Sequence, residues 1–273
     1  MRVYIVADLE GTSGVSGYDV YRDEVPGEVF KHRDGRALWA AEVNAAVKGA
    51  VGAGATEITV LDNHGSGDTF PFQLLHSSAG LIHGRGRSTW LPGLDSSIDA
   101  VLIVGQHAMA GSGGHLAHTY SRRRIRRVLI NEQEVGEIGL IAAIAGAHGV
   151  PVVLVSGDDV ATTEGEVSIP GVQALAVKQT LSIESCLSFA RDETLSSIEH
   201  CARRGIETRN EIAPMSIGGK GVTLKVDYRL RDGWRVPARF AVYGGRRGAI
   251  GGLRRLRLTE TTVQRAWDRF LHG

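Results

Sequence analysis

At 273 residues, with 42% hydrophobic and 22% charged side chains, the chain is long enough for one large domain, or a domain with a smaller appendage, around a sizeable core. A formal net charge of +1 argues against a partner selected by bulk charge, whether nucleic acid or anionic membrane, and no apolar run approaches the roughly 20 residues that span a bilayer. The start reads directly as a strand rather than a signal peptide, and Cys186 and Cys201 lack CxxC spacing, so a reduced, cytoplasmic protein is expected.

The first apolar run, residues 2–7, stops at Asp8-Leu9-Glu10-Gly11 and is followed by a polar loop over 12–28. Residues 36–51 carry Leu38, Ala41, Val43, Ala46, Val47 and Val51 at helical spacing, with Gly52 and Gly54 as stop signals. A second strand, 57–61, ends in Asp62-Asn63-His64-Gly65, and a loop with His76, His83 and Trp90 follows. The third, 100–105, ends in Gln106-His107 before a small, Gly-rich stretch over 108–114. An arginine run, 122–127, leads into a hairpin-like element: a strand at 128–131, a polar turn at Glu132-Gln133 and a short return. Glu137 then opens a helix over 138–148, stopped by Gly149 and Pro151. A fourth strand, 151–155, ends in Ser156-Gly157-Asp158-Asp159. Beyond residue 161 the pattern loosens, with helices expected at 194–204 and 261–271 and strands at 222–228 and 239–243. This rhythm predicts an α/β fold, a mostly parallel sheet with helices on both faces over residues 1–160, followed by a smaller α+β lobe over 161–273.

In open α/β sheets the ligand crevice lies beyond the carboxyl ends of the strands. Three strands therefore deliver Asp8, Glu10, His64 and His107 to one sheet edge. Asp8 and Glu10, two apart on an extended segment, face the same side. Carboxylates that close repel unless a cation or proton lies between them. Singly, these residues read as solvated acids, a capping histidine and a core histidine; together they favour a site for Zn²⁺ or Mn²⁺. Glu137, held ionised by the positive end of its helix, joins them. Five ligands exceed the needs of one tetrahedral ion, whereas two metals about 3.5–4 Å apart, bridged by Asp8, use them all and suit hydrolysis. His115 and His118 both follow the glycine-rich run, and the chemistry of a proton-transferring histidine does not choose between them.

Asp8-Leu9-Glu10-Gly11 with Ser13-Gly14, Asn63-His64, Gly105-Gln106-His107-Ala108, His118, Asn131, Val135-Gly136-Glu137-Ile138-Gly139, Gly157-Asp158-Asp159 and Val177-Lys178-Gln179-Thr180 resemble, in order, the M55 metallopeptidases. The resemblance implies a dinuclear zinc site of Asp8, Glu10, His64, His107 and Glu137, two Zn²⁺ per chain, with His118 rather than His115 as the catalytic histidine. It also implies release of N-terminal residues, D-residues in the family's named activity, and a ring-like homodecamer with sites facing an inner chamber. Asn131, Asp158, Asp159 and Lys178 match family positions too: Asn131 as a substrate contact or a turn residue, the two aspartates behind the ligands, and Lys178 as a carboxylate partner or a surface lysine. Segments 18–28, 122–127 and 234–257 depart from the family's named member, where specificity is expected to reside.

The leading expectation is thus a dinuclear zinc aminopeptidase of short, D-amino-acid-containing peptides, with attack by a metal-held hydroxide and assistance from His118. One alternative keeps the metals and changes the substrate to L-peptides or small amides. The other is a non-enzymatic binder using the arginine runs on nucleic acid. Balancing acids and the lack of interleaved aromatics argue against it, so neither nucleic acid nor membrane is expected as a partner.

Overall fold

The computed structural model describes residues 1–17, 28–217, 221–229 and 255–272. Its centre is a seven-stranded sheet in the order β3-β2-β1-β4-β7-β8-β9. These strands are β1 (Arg2–Ala7), β2 (Glu57–Asp62), β3 (Ala79–Ile82), β4 (Ala100–Gln106), β7 (Val152–Asp158), β8 (Gln173–Ser182) and β9 (Ser185–Ser188). All neighbours pair in parallel except β8 and β9. The inner strands are continuous Val, Ile and Leu runs because both faces are covered; every residue of β4 and of β7 is buried.

From β1 the chain passes through α1 (Glu28–Gly52) to β2 on one side, whereas from β4 it proceeds through later elements to β7 on the other. Right-handed crossovers running in opposite directions place their helices on opposite faces. α1 packs with α4 (Arg191–Glu207), and α2 (Glu137–Ala147) packs with α3 (Asp159–Ser168) and α5 (Val263–His272). The strand order reverses between β1 and β4, and in open α/β sheets such a switch point is where ligands are bound.

A second sheet, four-stranded and antiparallel, runs β11-β10-β5-β6. It joins β5 (Ile125–Ile130) and β6 (Gln133–Val135) to β10 (Val222–Tyr228) and β11 (Arg255–Glu260). The two-residue turn between β5 and β6 is Asn131-Glu132, both with positive φ of 47° and 72°, one residue earlier than the polar turn expected. Residue 160 lies within α3, and the strands on either side of it, β7 and β8, pair. Beyond the expected elements the structure adds β3, α3, β8, β9 and β11. The strand expected at 239–243 lies outside the described residues. In the arginine run, Arg127 pairs with Asp227 at 2.7 Å and Arg122 with Glu184 at 3.4 Å. Among the described residues no helix is long and apolar enough to cross a membrane.

Candidate metal centre

The ends of β1 and β4 come together because glycine lets them. A Cβ on Gly105, which has φ +71°, would sit 2.1 Å from the Asp8 carbonyl oxygen, and one on Gly11 2.1 Å from that of Gln106. This approach is locked by hydrogen bonds from Asp8 N to the Val104 carbonyl, 2.9 Å, and from Gly11 N to that of Gly105, 2.7 Å. It places the first acids beside the histidine that follows β4.

Two triads of ligand-capable side chains result, Asp8–Glu10–His64 and His107–His118–Glu137, the ligand atoms of each within 4.8 Å of one another. Asp8 stands between them. Its Oδ1 lies 3.2 Å from His64 Nδ1 and its Oδ2 3.4 Å from His107 Nε2. Glu10 spans the gap too, with Oε2 2.9 Å from His64 Nδ1 and Oε1 4.0 Å from His118 Nε2. Glu137 Oε1 is 3.2 Å from His107 Nε2 and accepts the Tyr120 backbone amide at 2.8 Å. The His107 and His118 rings stack at 3.7 Å. Each has its Nδ1 against a carbonyl oxygen, Ala108 at 3.0 Å and Leu116 at 2.9 Å. Donation there turns both Nε2 atoms toward the acids, the orientation in which an imidazole binds a metal once Nε2 carries no proton.

The electrostatics fit a cation. Burial, then the neighbouring Glu10, pushes the Asp8 carboxyl up to about 7. Burial also opposes charge on Glu10 and Glu137, but the facing imidazoles outweigh it and hold both below the usual carboxylate range. In return His64 is held well above the ordinary histidine value, and His107 rises to about 10 as its bond to Glu137 overcomes burial. Protons on His64 and His107 thus balance Glu10 and Glu137, while Asp8 keeps part of its own proton at neutral pH, and a divalent cation would stand in the place of those protons. Carboxylate oxygen with imidazole nitrogen is a donor set that zinc accepts.

Zinc uptake should therefore expel protons. At pH 7 the metal-free His107 carries a proton that a ligand must lose, so affinity should fall as pH drops. Calorimetric zinc titrations in buffers of different ionisation enthalpy should give different apparent heats; equal heats would mean that no proton leaves and that these histidines are not displaced.

All six residues expected at the centre are brought together. His115 is not among them: it is fully buried, and burial together with nearby Lys178 pushes it down to about 4. Asn131 is spent on the second sheet, its Oδ1 accepting the Thr223 amide at 2.8 Å. Asp158 caps α3, its Oδ1 accepting the Val160 and Ala161 amides at 3.0 and 3.1 Å, while Asp159 Oδ1 accepts the Thr180 amide at 2.8 Å. Lys178 is no surface residue but wholly buried.

Sequence reasoning assigned no role to the side chains that orient these candidate ligands. Gln106 Nε2 donates to Asp8 Oδ2 at 3.0 Å, and Asn63 Nδ2 to Glu137 Oε2 at 3.5 Å. Asp62 accepts the amides of His64, Thr69 and Phe70, shaping the turn that presents His64. Glu42, in the buried face of α1, accepts the Ser13 amide at 2.8 Å. Adjacency to a candidate ligand histidine marks Asn63 and Gln106 in the sequence, and an acid among apolar helix positions marks Glu42.

The family model Peptidase_M55, described as D-aminopeptidase, matches residues 1–240. The D-aminopeptidase of Bacillus subtilis (strain 168) is 36% identical over 194 residues, 70% of this chain and 69% of that protein. The solved structure of the Zn-dependent D-aminopeptidase DppA from Bacillus subtilis, described as a self-compartmentalizing protease, aligns with a TM-score of 0.87 at 27% identity, covering 99% of this chain and 96% of that one.

Proposed function

This chain belongs to the M55 peptidase family and is a hydrolase of the aminopeptidase class, and from that premise we propose that it is a dinuclear zinc aminopeptidase of short peptides with an N-terminal D-residue. The observation that carries the dinuclear reading is the position of Asp8, with one carboxylate oxygen toward His64 and the other toward His107. Asp8 would be shared between the two ions, with Glu10 and His64 holding one and His107 and Glu137 the other. Bound zinc would supply a Lewis acid and a nucleophile at neutral pH.

The chain's own residues do the rest. Gln106 and Asn63 fix the orientation of Asp8 and Glu137. His118 is the proton-transferring group: its Nδ1 is engaged by the Leu116 carbonyl, so only Nε2 is left to face the reacting atoms. Burial and the neighbouring His107 hold it below the ordinary histidine value, keeping the ring neutral and able to take a proton and return it to the leaving amine. Burial of the surrounding acids keeps water from screening these interactions.

The D-residue preference rests on the family description and on the Bacillus relatives. The relative described as self-compartmentalizing supports assembly into a closed oligomer; we extend this to a cytoplasmic ring-like decamer with sites facing an inner chamber that admits only small peptides. Exposed Leu181, Ile183, Leu187 and Phe189 around β8 and β9 are suited to burial between subunits.

The test is metal content of freshly purified protein together with hydrolysis of matched D-Ala and L-Ala dipeptides before and after chelation. About two zinc per chain and chelator-sensitive D-peptide cleavage are expected. One zinc per chain would overturn the dinuclear reading, and cleavage confined to L-peptides or small amides would overturn the stereochemical one.

A further inference from the structure

Lys178 lies in β8 with no exposed surface. Its Nζ donates to the carbonyls of Glu10, Thr12 and Val15, the last two at 3.1 and 2.9 Å. These carbonyls belong to the turn that leaves β1, so their negative ends converge on one point. Three of the turn's amides are held by other elements, Gly11 N on the Gly105 carbonyl, Ser13 N on Glu42 and Gly14 N on Ser188 Oγ at 2.9 Å, while Thr12 N and Val15 N bond the Leu9 and Thr12 carbonyls within the turn. An ammonium has three donors and no acceptor, which matches three converging carbonyls. A buried cation persists only where its hydrogen bonds are made and acids face it, and Asp158, Glu42 and Glu10 do so here.

We propose that Lys178 is the positioning residue of the metal centre: its ammonium clamps the turn from Glu10 to Val15 and so sets the direction in which Asp8 and Glu10 project. It touches no reacting atom. Glu42 and Ser188 hold the same turn from its amide side, so the ligand strand β1 is secured by α1, β8 and β9 together. The substrate-carboxylate role suggested by its family position is excluded by geometry, because all three of its donors are already spent within the chain.

The metal arm of this inference rests on Asp8 and Glu10 being ligands, so the test has a second arm that does not. Lys178→Met keeps the stem and removes the charge and donors. In the full-length protein, zinc affinity measured against a competing chelator should weaken about 10–100-fold. The kcat of the zinc-loaded variant should fall while KM for the dipeptide stays within about twofold. In metal-free protein, hydrogen exchange at the amides of Gly11, Ser13 and Val15 should quicken by at least ~10-fold. Unchanged zinc affinity with unchanged exchange would overturn the proposal, as would a raised KM with zinc retained, which marks a substrate contact. A lower melting temperature with wild-type zinc affinity and kcat would mean a merely structural lysine and would overturn it as well. Should wild-type protein bind no zinc, the ligand reading fails and exchange alone decides: faster exchange in the variant supports the clamp, equal exchange overturns it. Should Lys178→Met not fold, Lys178→Arg takes its place. Its planar head cannot aim at three converging carbonyls, so the same losses are expected and wild-type behaviour would overturn the clamp.

Discussion

Asp8→Ala is expected to leave the protein with no tightly bound zinc at either position and to reduce peptide hydrolysis by at least about 10³-fold, ~4 kcal/mol of transition-state stabilisation. The reason is that Asp8 faces both halves of the centre, one oxygen toward each of His64 and His107. A residue serving one site only would cost one equivalent of metal when removed. Elemental analysis of the variant after gel filtration makes the distinction; one retained equivalent per chain would disprove the bridge. Stability should respond in the opposite sense in the metal-free state. Burial and Glu10 make the Asp8 charge costly there, so Asp8→Asn should melt no lower than metal-free wild type. What the variant should lose is the increment that zinc adds, about 4 kcal/mol when free zinc exceeds its Kd about 1,000-fold. Calorimetric scans with and without zinc read both effects.

His118→Ala is expected to keep its metal and lose about 10²–10⁴-fold in kcat. Its ring stacks on His107, and its Nε2 comes within 4.0 Å of Glu10 Oε1, so it offers a cation the same kind of atom as the ligands do. Metal content therefore decides its role. Full zinc with low turnover makes it the proton-transferring group; loss of one zinc makes it a sixth ligand. Partial recovery of turnover on adding free imidazole would further mark it as a proton carrier, since a small base can occupy the vacated space.

The strands that deliver the proposed ligands were legible because each is a short apolar run that stops at polar residues where the strand ends, although those residues are themselves buried. Val222–Tyr228 was legible by its alternation of apolar and polar residues. β3, at the edge of the sheet, has no fully buried residue in Ala79–Ile82 and therefore no hydrophobic alternation to read. α3 escaped because Asp159–Ser168 is polar and marked chiefly by the cap that Asp158 supplies, a side chain that by its position also suggested a metal-site role. β8 is a mixed strand, intermediate over its first half and exposed toward its end, and it holds a lysine at a buried position. No local pattern distinguishes that lysine from a solvated one, because the carbonyls that satisfy it lie more than 160 residues away in the chain.

The amino-acid sequence by itself determined which side chains stand at the strand ends, and hence the donor chemistry of the centre, since a ligand at the end of a buried strand is a property of a few consecutive residues. It also determined the hairpin and the helix that Glu137 opens. Only the tertiary structure decided that β1 lies between β2 and β4, that Gly11 and Gly105 allow the ends of β1 and β4 to touch, and that Asp8 faces both histidines. It alone placed Asn131 on the second sheet and Lys178 beneath the ligand turn. These are distances between residues far apart in the chain, set by strand order and by the satisfaction of buried polar groups, and neither is encoded in any single segment.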